Sequence, residues 1–339
     1  TETIADHETV NVNIDKLLTG EIKLQNTGKA IGGNGQLFNV EKKGMLPTLI
    51  DEMYSERVII KKQMIQAQKD KELIDKSNKH ELYKVEREIN IAENQQMSIK
   101  ILLNSLYGAL GNRYFRFFDQ RIAEAITLSG QLTIRWAEVA INKYLNSVMK
   151  TNTDYVIAID TDSLYVNLGP LVNLVNPVNP IDFLDTVASE KLEPVLAEAY
   201  DNLYNMMGGI ENRMVMKREA IADRGIWTAK KRYILNVHDN EGVRYTEPKL
   251  KIMGIEAIKS STPAPCRTAL KEIFNVIISG SEKDTQTAIQ NFKEYFRTLP
   301  PHEIAFPRGV SKVNEYKDNK LIYKKGTPIN VRGSLLFNK

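Results

Sequence analysis

The sequence predicts an α/β (α+β) chain in which long helices are joined to short antiparallel strands. Three observations carry that expectation. Apolar residues recur at helical spacing over several long runs, as with Ile122, Ala125, Ile126, Ile134, Ala137 and Ile141. Short apolar alternations are closed by tight-turn signals such as Gly32-Gly33-Asn34-Gly35 and Asp239-Asn240-Glu241-Gly242. Hydrophobic residues make up 42% and charged residues 26% of 339 residues, ordinary for a globular chain long enough for two or three domains.

Taken in order, the glycine-rich turn enters a strand at Gln36–Val40. Pro47, a favourable first-turn residue, opens a helix that runs to about residue 70. A charged break at Asp75–Lys79 leads to a second helix from near Glu81 to about Leu110. Two long helices across so short a break lie antiparallel as a hairpin. Residues 120–149 form another helix, and the apolar strand "VIAIDTDSLYV" at 156–166 follows it. Asn173–Pro180 reads as a loop, and helices span 181–207. Strands are expected near 213–221, 231–237 and 243–247, the last two closed by the Asp239–Gly242 turn. Beyond "STPAP" at 261–265 the pattern is helical to about residue 298, and the last 40 residues are loop-rich and strand-like.

Composition excludes several classes. Cys266 is the single cysteine, so neither an internal disulfide framework nor a Cys-rich zinc site exists, and a reducing compartment is expected. No apolar run approaches the roughly 18 residues of a membrane helix. The excess of 46 Lys and Arg over 42 Asp and Glu permits a polyanionic partner without demanding one. Gly28-Lys29-Ala30 lacks the glycine spacing and the hydroxyl of a phosphate-binding loop.

Two constellations carry chemistry. Asp160 and Asp162 interrupt an apolar strand, and residues two apart in a strand share a face. If the chain turns after Ile159, both carboxylates sit at a hairpin tip, where they suit magnesium and substrate phosphates. A bare Asp-x-Asp also fits a strand-end turn whose carboxylates cap backbone amides. On the helix ending near Leu110, Lys100, Asn104, Tyr107, Gly108 and Gly111 fall on one face, while Ile99, Leu102, Leu103, Leu106 and Leu110 form the expected core face. Glycines cost about 1 kcal/mol each inside a helix. They let something flat approach, such as a base pair, or they mark the end of the helix.

"KILLNSLYGALGNRYFRF" at 100–117 resembles the fingers-to-palm motif of family B DNA polymerases, and "DTDS" at 160–163 resembles their palm metal motif. "REAIA" at 218–222, "WTAKKRYILNV" at 227–237 and "EPKLKIMGIEAIKSSTP" at 247–263 come next in the family's order, and are similar to its T-even phage branch. The resemblance covers most of residues 40–265. It implies a polymerase palm with an antiparallel sheet, inserted helical-hairpin fingers and a partial thumb. The segments would be palm at 1–43, fingers at 44–112, palm again at 113–257 and the start of a thumb at 258–339.

The same resemblance implies roles. Asp162 matches a metal-bridging aspartate, Asp160 the acid before it, and Glu219 a further carboxylate near two Mg2+ ions, for which Mn2+ can substitute. Arg57, Lys61 and Lys100 would clamp the triphosphate of a dNTP, with Asn104 beside them. Tyr107 and Gly108 would floor the nascent base pair. Lys230, Lys231, Arg232 and Tyr233 match the "KKRY" signature that lies along primer-template DNA. Without the resemblance, Arg57 and Lys61 read as a solvated basic face and "AKKRY" as an exposed basic strand.

One family feature is absent. The earlier palm motif resembling Asp-x-x-Ser-Leu-Tyr-Pro-Ser, which supplies the second metal-binding aspartate, has no counterpart here, and "TETIADHETV" resembles the family's segment just behind that motif. The chain therefore reads as one part of a divided polymerase whose partner polypeptide carries that aspartate and the exonuclease domain. Alternatives are a truncated piece of a single-chain polymerase and a catalytically silent DNA-binding subunit. A sliding clamp reached through a further C-terminal segment, no membrane association and the host cytoplasm complete the expectations. A glycosyltransferase-type Asp-x-Asp enzyme would explain neither "KKRY" nor "NSLYG".

Overall fold

The structure is a computed structural model that describes residues 9–24, 28–318 and 320–338. Residues 1–8, over which the first palm segment is expected to open, lie outside the described residues. The chain divides into two compact units, Thr1–Ala222 with Val237–Lys249, and Asp223–Asn236 with Leu250–Lys339.

The first unit begins with α1 (Ile14–Thr19), capped by the Asn13 side chain at the Lys16 amide. Strands β1 (Ala30–Ile31) and β2 (Leu37–Phe38) pair antiparallel through the expected glycine-rich turn. Helices α2 (Met45–Leu73) and α3 (Lys79–Leu110) are joined by residues 74–78 and pack along each other as the expected hairpin. Lys71 and Glu86 bridge it near the closed end at 2.8 Å. With little besides each other to pack on, the two helices bury few residues, Leu46 and Met64 in α2 and Gln96 and Leu110 in α3. Leu102 is therefore a correction: expected in the core, it is 59% exposed.

Helix α4 (Gln120–Met149) starts at Asp119, whose carboxylate accepts from the Arg121 amide. Its first half meets Leu17 and Leu203 through Leu132, and its second half joins Tyr155, Val156, Leu196 and Tyr200 through Ala137, Ile141 and Leu145. The buried stripe shifts as its partners change. Ile126 falls outside both clusters and is exposed, against expectation. The run at 156–166 is a complete hairpin, β3 (Val156–Asp160) and β4 (Ser163–Val166), rather than a single strand. Then come α5 (Gly169–Val175), α6 (Pro180–Val187), a π-helical turn at Ala188–Leu192 and α7 (Glu193–Met206).

A three-stranded sheet comes next, in the order β5 (Ala220–Ala229), β6 (Arg232–Asn240), β7 (Val243–Met253). Two-residue links make both connections hairpins. The strand expected near 213–221 starts only at Ala220, because residues 213–219 run extended without strand pairing. The second unit holds α8 (Ala264–Ser279), α9 (Glu282–Thr298), α10 (Pro301–Ile304), the short pair β8 (Lys317–Asp318) and β9 (Ile322–Tyr323), and α11 (Ile329–Phe337). Its core gathers Ile234, Ile255, Ala257 and Ile278. The helix α11 departs from the strand-like ending the sequence suggests; its Val331 and Leu335, four apart, are the buried pair that sustains it.

Candidate active site

Asp160 closes the β3–β4 ladder opposite Ser163, and Thr161-Asp162 form the turn. The Asp162 amide donates to the Asp160 carbonyl at 2.7 Å, a γ-turn with Thr161 at its centre. Thr161 sits at φ 58°, a conformation that a β-branched residue rarely adopts. Backbone strain of this kind persists where surroundings enforce it, often at working sites. The Thr161 hydroxyl donates to the Asp160 carboxylate at 3.1 Å, and the Ser163 hydroxyl to the Asp160 carbonyl at 3.1 Å. Asp160 is half-buried and Asp162 exposed. The turn thus places Asp162 beyond the strand, so the shared strand face expected for the two acids does not form.

The base of the hairpin is fixed as firmly as its tip is open. Tyr155 and Val156 are buried, and the Asn142 side chain of α4 accepts from both their amides, at 2.8 and 3.3 Å. The same side chain donates to Asp154 at 2.8 Å. Thr151 and Tyr155 hydroxyls meet at 2.8 Å.

Glu219 is exposed, immediately before β5. Its carbonyl accepts from the Glu241 amide at 2.5 Å. The neighbouring Arg218 is the hub of an ionic network built around a buried carboxylate. It pairs with Asp185 of α6 and Asp239 of β6, and its amide donates to Glu193 of α7 at 3.0 Å. Asp239, 1% exposed, also accepts from the Gly242 amide at 2.9 Å and Arg244 at 3.1 Å, and Arg244 reaches Asp182 at 2.6 Å. Burial pushes the Asp239 carboxyl up, but Arg218, the Gly242 amide and Arg244 outweigh it and hold the group below its ordinary value.

The proposed cations lie on the α2–α3 hairpin. Fourteen residues back from Lys71 is Arg57 and fourteen on from Glu86 is Lys100, so the register of that bridge puts these two cations level along the antiparallel pair. Arg57 is half-buried, and its Nε is buried without a hydrogen-bond partner. Buried polar atoms are rarely left so. Lys61, one turn further along α2, pairs with Glu241 in the β6–β7 turn. Lys100, Asn104, Tyr107 and Gly108 lie on α3, which ends at Leu110 with Gly111 as its cap, and all four are exposed.

In the second unit, Lys230 and Lys231 form the exposed two-residue turn between β5 and β6, with Lys231 at φ 61°. Arg232 pairs with Glu256. Tyr233 is 5% exposed, its ring tilted against Trp227 at 6.1 Å between centroids.

Asp160 and Asp162 suit a hard divalent cation in chemistry, as oxygen donors at a solvent-open tip. In number they fall short of a two-ion centre. Among the described residues no group of three or more His, Cys, Asp or Glu is placed to hold a metal. The sequence reading missed Asp239, Glu241 and Arg244, which it took only as turn and strand residues. The signal was there in the alternation of acids and arginines from Arg218 to Arg244 around a tight turn.

The profile described as "DNA polymerase family B" matches residues 4–175, half of the chain. Similar relatives include the DNA-directed DNA polymerases of Escherichia phage RB69 and Enterobacteria phage T4. Each is 33% identical over 90% of this chain and over 39% and 40% of its own length. DNA polymerase 1 of Pyrococcus abyssi is 23% identical over 80% of this chain and 28% of its own. The chain thus spans about two fifths of the phage relatives it matches. Among the described residues no helix is long and apolar enough to cross a membrane. The profile match takes in the α2–α3 hairpin, α4 and the Asp160–Asp162 turn together, and on that match the chain belongs to DNA polymerase family B.

Proposed function

We propose that this chain is the fingers, palm and beginning of the thumb of a DNA-directed DNA polymerase, with the segment boundaries expected from the sequence. It takes part in template-directed transfer of a nucleotide from a dNTP to a primer 3′-OH. The new bond joins the 3′ oxygen to the α-phosphorus, the bond to the β-phosphate breaks, and pyrophosphate leaves. The observation that carries this reading is the strained turn bearing Asp160 and Asp162, pinned to α4 at its base, in a chain of this family.

Asp162 and Asp160 would hold Mg2+, which when bound neutralises phosphate charge and lowers the pKa of the primer hydroxyl. Arg57, Lys61 and Lys100 orient the triphosphate by charge-assisted hydrogen bonds, and Arg57 brings an Nε that has no partner of its own. Asn104 lies one turn from Lys100 on the same face, and Tyr107 with Gly108 offers a flat surface to the nascent base pair. Lys230 and Lys231 meet DNA phosphates and minor-groove acceptors, a grip without sequence readout. Glu219 stands close in sequence to the Arg218 network, which fixes the backbone it hangs from.

Two ions need more ligands than Asp160 and Asp162 supply, and among the described residues no third carboxylate joins them in a metal-holding group; a partner polypeptide in a divided enzyme, or another part of a single-chain polymerase, would supply a further aspartate. Primer extension tests both levels. The chain is assayed with Mg2+ and four dNTPs, alone and mixed with a polypeptide carrying the upstream palm motif, with Asp162→Ala as control. Extension only on mixing, lost in the control, supports the divided site. Extension by the chain alone overturns it while leaving the polymerase reading intact.

A further inference from the structure

We propose that Glu241 is a built-in competitor for Lys61. Its carboxylate holds the α2 cation in a waiting state, and the phosphates of an incoming nucleotide must displace it. This rests on the reading of Lys61 as a triphosphate ligand.

Two independent features single out Glu241. The first is its partner: Lys61 Nζ pairs with Glu241 Oε1, although the residues are 180 positions apart in the chain. An ammonium makes the same charge-assisted bond to a carboxylate oxygen as to a phosphate oxygen. With side chains 34% and 25% exposed, the pair remains open to exchange. The second is its backbone. Glu241 stands at φ 52° and Gly242 at φ 81° in a two-residue turn, where Asn, Asp or Gly is the usual first residue. Turn geometry alone does not select glutamate, so a reason for its longer carboxylate lies outside the turn.

The turn is a fixed post and α2 is the part that can leave it. Glu241 is anchored through its amide to the Glu219 carbonyl at 2.5 Å, and Gly242 through its amide to the buried Asp239 carboxylate at 2.9 Å. By contrast, β6–β7 also meets α2 through polar side chains that solvent reaches. Lys249 reaches Glu72 at 2.7 Å, and the Lys69 ammonium lies 3.1 Å from where a Cβ on Gly242 would stand. Exposed pairs of this kind are individually weak. A nucleotide that takes Lys61 therefore faces one modest competitor, and the freed Glu241 carboxylate, repelled by the triphosphate, favours release of α2 from the turn.

Equilibrium titration of the full chain with dATP tests this in four forms: unaltered, Glu241→Gln, Lys61→Ala and the double variant, each checked for folding by circular dichroism. Glu241→Gln is expected to tighten dATP roughly two- to fivefold, the scale of one exposed ion pair. Lys61→Ala should weaken it, and Glu241→Gln should have no further effect in that background. Glu241→Asp, which keeps the charge one methylene shorter, should lie between. Unchanged affinity in folded Glu241→Gln, with loss in Lys61→Ala, overturns the competitor and spares the triphosphate role. Equal tightening with or without Lys61 also overturns it, because Glu241 would then act as a general repulsive charge. No loss in Lys61→Ala removes the underlying reading and this proposal with it.

Discussion

Asp239 and Arg218 form an ion pair in which the carboxylate is 1% exposed, and the same arginine holds Asp185 on a separate helix. Such a pair adds little over apolar packing, yet breaking it from one side strands a charge away from water. Arg218→Met should therefore destabilise the first unit by about 3 kcal/mol. Urea unfolding monitored by circular dichroism reads the loss. Arg218→Met combined with Asp239→Leu should recover part of it, which a simple loss of packing at residue 218 would not allow.

The same carboxyl predicts a pH dependence. Asp239 lies below its ordinary value of 3.8 in the fold, so the unfolded chain takes up its proton first as pH drops. Asp119, held down by Arg121, behaves alike. Their stabilisation is fully present above the ordinary value and is lost as pH falls through 3.8 toward the folded value. Unfolding free energy measured from pH 7 to pH 3 should decline at the acid end, and more shallowly in Asp239→Asn than in the unaltered chain.

Asn142 is the predicted weak point at the base of the β3–β4 hairpin. Replacing it with Leu keeps the branched outline but leaves the Tyr155 amide without its acceptor, while the Val156 amide keeps Asp154. A cost of about 2 kcal/mol is expected. Primer extension by the complete enzyme should fall more than stability does at assay temperature, because the tip moves with its base.

Exposed site residues should separate function from folding. Asp162→Ala and Lys100→Ala touch exposed positions, so their unfolding should stay within about 0.5 kcal/mol of the unaltered chain. Extension should disappear in the first. In the second, the dNTP KM should rise roughly ten- to hundredfold, the worth of one hydrogen bond to a charged group.

Much of the fold was legible because its signals are local. The α2–α3 hairpin, α4 at 120–149 and the glycine-rich turn follow from periodicity and breaker residues. The readings that failed depend on neighbours the sequence does not name. Leu102 has the spacing of a core residue, yet it is left exposed on α3. The extended segment before Ala220 has strand composition, yet its groups are spent on Glu193, Asp185 and Asp239 rather than on a ladder. In the site, the two acids at 160 and 162 were readable as a motif, while the γ-turn that separates them depends on a strained Thr161. The Glu241–Lys61 pairing joins residues too far apart in sequence for any local pattern to announce.

Helix α4 touches nearly every part of the first unit through a different stretch of its length. Ser129 accepts from the Gly33 amide at 2.8 Å, where a Cβ on Gly33 would run into the helix backbone. Arg135 meets Asp15, Trp136 donates to the Ala199 carbonyl, and Asn142 holds the hairpin. In hydrogen–deuterium exchange, amides around Leu132–Leu145 should be the last to label, opening only with the whole unit. The tip at Thr161 and the outer turns of α2 and α3 should label early. The molecule thus keeps time on two clocks, a slow one wound around α4 and a fast one at the Thr161 tip and the outer turns of the α2–α3 hairpin.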